Sequence, residues 1–148
     1  MKKAGIALAC AVVVCVAAAF AAAKAGPRPL EGLDPEQVAL VEVYTGSVPA
    51  SAFKKTVTAP EDIRRVVKAL QSLRLRREAT DEDLLAGSIG TNFRLRLRDG
   101  TARAVRTNGP LVGLEGKLYV ASGRSPDSHA FWDSLPYDEV PAPEEEFP

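Results

Sequence analysis

Apolar and polar positions alternate with the two-residue period of a strand in several short stretches, and with a helical period in one. Val38 to Tyr44 is rich in β-branched residues and reads as a strand, with Ala39, Val41 and Val43 on one side and Leu40, Glu42 and Tyr44 on the other. Gly46 to Pro49 is a turn, and residues 52–57 are the returning strand. Next comes the clearest element, where Ile63, Val66, Val67, Leu70 and Leu73 recur at helical spacing and Arg64, Arg65, Lys68 and Gln71 lie off that stripe. Thr58 and Glu61 have the spacing of a capping box, with Pro60 in the first turn, where its missing donor costs nothing. The helix is expected to end near Arg74.

Residues 80–86 suggest a second short helix with Thr80 as its cap. Phe93, Leu95 and Leu97 then alternate with Arg94, Arg96 and Arg98, and Asp99-Gly100 reads as a two-residue hairpin turn before a returning strand over 101–107. Asn108-Gly109-Pro110 marks another turn. Leu111 to Leu114 and Lys117 to Ala121 make two more strands around Glu115-Gly116. Residues 128–135 form a short C-terminal helix with Phe131, Trp132 and Leu135 over the core. Strands that follow one another, with the helices off to one side, give an α+β domain. The expectation is an antiparallel sheet of about five to six strands, one main amphipathic helix and a short C-terminal helix. Ile63, Val66, Leu70, Leu73, Phe93, Leu95 and Leu97 should be buried together.

The N-terminus changes the picture of where this domain works. Lys2 and Lys3 precede an uncharged apolar run from Ala4 to Ala23, and Ala23-Lys24-Ala25 offers small residues where a signal peptidase reads them. Residues 1–25 are therefore a signal peptide cleaved before Gly26, or an uncleaved membrane anchor, since about 20 apolar residues can span a bilayer. Either way the rest is expected to be extracytoplasmic, with any membrane contact made only through this segment. Both cysteines, Cys10 and Cys15, lie inside the run, so the remainder has no disulfide and must rely on an ordinary core. Residues 26–37, rich in Pro and Gly, read as a linker. The domain proper is expected over 38–137, and 138–148 as an acidic, Pro- and Glu-rich disordered tail.

Four stretches of the domain resemble a group of small uncharacterised exported domains of Gram-positive bacteria. They are Thr56 to Ile63, Leu70 to Leu75, Phe93 to Gly100, and Gly116 to Tyr119. The resemblance implies a fold and an exported setting, with no activity or functional residue to carry over.

Charge and candidate chemistry narrow the function. Without the N-terminal Lys2, Lys3 and Lys24 the chain has 16 basic and 19 acidic residues, a net charge of −3, which speaks against nucleic-acid binding. The sole histidine, His129, has no nucleophile and orienting acid to work with, and no serine sits in a nucleophile elbow. Asp81, Glu82 and Asp83 lack the spacing of a calcium loop and read as acids at a helix start. No enzyme, cofactor or metal is expected. What stands out is the arginine ladder. With Asp99-Gly100 as a two-residue turn, Arg94, Arg96, Arg98 and Arg103 share one sheet face, and Arg96 faces Arg103. Like charges opposite each other are unfavourable. Glu42 on a neighbouring strand, the acidic tail, a bound anion or an acidic partner would offset them. The functional expectation is an envelope-side interaction module whose arginine face meets an acidic protein or an anionic envelope polymer. The alternatives are a structural or regulatory domain docking on a larger exported protein and, last, a small enzyme.

Overall fold

The structure, a computed structural model, describes residues 26–46, 51–84 and 90–143. Residues 1–25, expected to be a signal peptide or anchor, most of the expected turn at 46–49 and the last residues of the expected acidic tail lie outside them. The fold is α+β, built on one antiparallel sheet of eight strands. In chain order these are β1 (Val38–Gly46), β2 (Phe53–Val57), helix α1 (Pro60–Gln71), β3 (Arg74–Glu78), β4 (Gly90–Leu97), β5 (Ala102–Asn108), β6 (Leu111–Leu114), β7 (Lys117–Ser122), helix α2 (His129–Asp133) and β8 (Val140–Pro141). Across the sheet they run β3-β7-β6-β5-β4-β1-β2-β8.

The sheet therefore has more strands than the five to six that the alternation predicts. The two extra ones are its edges. β3 pairs with β7 (Leu75 opposite Ala121), and β8 pairs with β2 (Lys54 opposite Val140). The 138–143 part of the expected tail is thus tied down: Ala142 N donates to Ala52 O at 2.9 Å. The expected linker is ordered too. Leu75 N donates to Pro27 O at 2.9 Å, which covers the outer edge of β3, and Gln71 Nε2 donates to the carbonyls of Leu30 and Leu33. A side chain at Gly26 would collide with Leu75 O, so only glycine allows this close approach.

Helix α1 carries the chain from β2, beside one edge, to β3 at the other. Its 12 residues span about 18 Å. Six strand-to-strand steps at about 4.8 Å would need about 29 Å on a flat sheet. The connecting residues 58–59 and 72–73 add up to about 14 Å, enough to make up the difference. Ile63, Val66, Val67 and Leu70 meet Val41, Val43, Val57, Phe93, Leu95 and Val105 in one core. Of the seven residues expected to be buried together, six are at most 4% exposed, and Leu97 is half-buried. In β1 a bulge between Val38 and Leu40 shifts the alternation, so Val38 is buried and Ala39 is exposed.

The start of α1 differs from the predicted capping box. The N-cap is Ala59, not Thr58, and its side chain offers no cap. The hydroxyl of Tyr137, far along the chain, takes that place: it accepts from Ala59 N at 3.0 Å and donates to Asp62 Oδ2 at 2.9 Å. Tyr137→Phe removes both bonds while keeping the ring. It should lower the unfolding free energy by about 1–2 kcal/mol, the usual value of a helix cap. A urea midpoint unchanged from wild type would mean that water replaces the hydroxyl without loss.

Of the helix expected over 80–86, Asp81–Asp83 form a 3-10 turn instead, and residues 85–86 lie outside the described residues. Arg77 grips Asp83 through two bonds of 2.6 and 2.7 Å. That contact, helped by the Thr80 amide, holds the Asp83 carboxyl well below the usual carboxylate range.

Candidate functional site

The position of the arginines follows from one turn. Asp99-Gly100 is not a two-residue hairpin turn. Leu97 N donates to Thr101 O at 2.8 Å, so the loop holds three residues, Arg98, Asp99 and Gly100, with Gly100 at φ 87°. Asp99 accepts from both the hydroxyl and the amide of Thr101, at 2.6 and 2.8 Å, which fixes the loop and lowers the carboxyl's pKa. The extra residue shifts the register by one. Arg103 lies opposite Leu95 and Arg96 opposite Ala102. A one-residue slip moves a side chain to the other face.

The predicted ladder is therefore split. Arg94 and Arg96 point to the outer face. Arg103 points to the helix side, where it is exposed at the rim and lies 3.9 Å from Glu115. Arg98 leaves the strand for the loop, donating through Nε to Glu36 O at 2.9 Å and through its amide to Gln37 O at 2.8 Å. The opposed pair Arg96–Arg103, which the two-residue turn implied, does not exist. Arg98 and Arg103 instead line an open groove of about 660 Å³ between the hairpin and the N-terminal arm, with Leu30, Leu33 and Leu97.

The outer face carries a cluster built by three strands. Glu42 of β1 sits opposite Thr56 of β2 and Arg94 of β4, and Lys54 and Arg96 are its diagonal neighbours. Its carboxylate lies 3.1 Å from Arg96 Nε, 3.8 Å from Lys54 Nζ and 4.0 Å from Arg94 Nη1. The Glu42 side chain is only 13% exposed, whereas that of Arg96 is 50% exposed. Beneath them Tyr44 is fully buried, with Arg94 5.5 Å and Lys54 5.9 Å from its ring centre. Three cations and one carboxylate leave a surplus of two positive charges. Glu42 is the offset that the arginine pattern requires, and it does not cancel the charge.

Beside this cluster the face turns shallow. Ala102 and Ala104 of β5 are exposed and carry nothing beyond Cβ, and Gly113 follows on β6. A trough of about 350 Å³ runs over Ala104 and Gly113, lined also by Asn92, Arg106, Glu115, Lys117 and Leu118. Arg106 pairs across from Gly113, and a Cβ at Gly113 would meet the Arg106 stem at 3.2 Å. The missing side chain makes room for that stem to lie across β6. Among the described residues no acid forms an ion pair with Arg106.

Lys54 and Arg106 are the members of this face that arginine alternation alone does not reveal. The signal lies in the neighbouring strands: Lys54 and Thr56 alternate against Phe53 and Val57, and Arg106 follows Ala102 and Ala104. Elsewhere His129 is exposed at the start of α2, and among the described residues no group of His, Cys, Asp and Glu could hold a metal. Comparison with family models, curated proteins and solved structures finds no match to the chain.

Proposed function

We propose that the chain works outside the cytoplasm as a non-catalytic interaction module that takes an anionic partner on the outer face of its sheet. Residues 1–25 carry the export reading, as cleaved signal or as anchor, and the likeness to exported domains of Gram-positive bacteria belongs to the same proposal. The observation that carries the binding reading is Glu42 ringed by Lys54, Arg94 and Arg96 with two positive charges in surplus, and Arg106 nearby. A non-catalytic role agrees with the ionisable groups whose pKa is displaced. Arg77, Asp83 and Asp99 are each accounted for by a local hydrogen bond.

The test is a pull-down titration from envelope extract at two salt concentrations. Exposed charge is screened over about 8 Å at physiological ionic strength, so capture of the partner should weaken as salt rises. Arg96→Gln with Arg106→Gln should weaken it further, by about tenfold, which corresponds to about 1.4 kcal/mol. Arg103→Gln is the control: it removes an equally exposed charge from the opposite face and should change nothing. Equal capture by all variants at both salt concentrations removes the outer face as the binding site.

A further inference from the structure

Resting on that reading, we infer the class of partner: an acidic peptide segment in extended conformation, alternating acidic and apolar residues, that lies in the trough along β5. Three observations lead there. Arg94 and Arg96 occupy alternate positions of β4 on one face, about 7 Å apart, which is the spacing of every second side chain in an extended peptide. The outer face of β5 at Ala102 and Ala104 ends at Cβ, so a main chain can come down onto that strand, and the Arg106 stem and Leu118 stand over Gly113 as its far wall. The two long sides of the trough differ. Arg94 and Arg96 lie towards β4, and Leu118 lies beyond Gly113 on β7. A strand lying on its side here turns alternate residues to the arginines and to Leu118.

Glu42 argues against a small anion. Its carboxylate already occupies the position between Lys54, Arg94 and Arg96, and it is tethered there. A free phosphate would compete against a group held at an effective concentration of about millimolar or more. A ligand gains only by meeting several cations at once. A phosphate polymer meets that condition but has nothing to set against Leu118, Ala104 and Gly113, which is why a peptide is favoured.

The experiment titrates the full chain by calorimetry with four probes. One is a peptide of about ten residues alternating Glu and Val, a length that spans about 30 Å. The others are a peptide of the same composition with its acids in one block, inorganic phosphate, and polyphosphate. The alternating peptide should bind at least about tenfold more tightly than the block peptide or phosphate. Ala104→Leu fills the trough without touching charge. It should lower the affinity for the alternating peptide at least about tenfold and leave polyphosphate unaffected. Ala104→Val replaces it if leucine lowers the thermal midpoint. Equal binding of the two peptides, or an Ala104→Leu variant that binds like wild type, overturns the peptide inference. If polyphosphate still binds in that case and loses affinity in the Arg96→Gln, Arg106→Gln variant, the broader anionic reading survives. If none of the four probes binds, both fall.

Discussion

Phe93→Ala lowers the free energy of unfolding by about 3–5 kcal/mol, the range for truncating a large core aromatic. Phe93 is fully buried in the middle of β4, between Val43 on β1 and Val105 on β5. Its ring also meets Phe131 edge-on, with centroids 6.4 Å apart and planes at 68°. The truncation therefore opens a void at the centre of the sheet and removes the aromatic contact that seats α2, worth about 0.5–1.5 kcal/mol beyond burial. Strand backbones on both sides prevent the site from collapsing, which places the value high in the range. Against a domain stability of about 5–15 kcal/mol this is a large loss. Urea unfolding with an unchanged slope reads the loss directly. A change below about 1 kcal/mol would show that the sheet centre is not packed as described.

Lys55→Met costs about 2–4 kcal/mol, through a different mechanism. Lys55 is 7% exposed on the core side of β2, opposite Val43. Its ammonium donates to Trp132 O at 3.0 Å and Leu135 O at 3.1 Å and lies 4.9 Å from the Trp132 ring centre. Methionine fills nearly the same volume but takes a charged donor from two carbonyls, which keep only the amides of Leu135 and Tyr137, at about 1.5–3 kcal/mol each. Removing the ammonium also removes the cost of burying it, so the net loss falls short of the sum. The damage should be local as well as global. Amide exchange should quicken over 131–141, where Arg65 Nη2 to Ser134 O, the Tyr137 hydroxyl at the start of α1, the Phe131–Phe93 contact and the β8 pairing are further ties to the domain. A variant within about 0.5 kcal/mol of wild type, with exchange unchanged, would mean that water serves these carbonyls as well as the lysine does.

The core was legible because it obeys two simple periods. The stripe Ile63, Val66, Val67, Leu70 and the alternation Phe93, Leu95 each bury one face, and no other arrangement of those residues would. The edges were not. In β3 only Leu75 faces the core, at 4% exposure, and three arginines and a glutamate surround it. β8 is two residues long and includes a proline. Such strands are defined by the neighbour that they pair with, not by their own pattern. The candidate face was half legible for a related reason. The alternation of Arg94 and Arg96 identifies the strand and the side, but the place of Arg103 depends on whether the loop holds two residues or three. Asp99-Gly100 suits either, since Gly100 also provides the left-handed position that ends the longer loop. The cap at Ala59 and the burial of Lys55 depend on Tyr137, Trp132 and Leu135, and no local pattern announces partners so far along the chain.

The position of β3 bears on how the molecule forms. Leu75 leaves α1 with no strand beside it, and its partner Ala121 arrives only after β4 to β7 have been laid down. β1 likewise waits for β4, with Val41 opposite Leu95. Closing these long loops costs entropy before any pairing returns it, so a chain of this topology folds more slowly than one held by local contacts alone, whatever its final stability. A chain that lingers unfolded can still be threaded through a membrane, which is the condition that the export proposed for it sets.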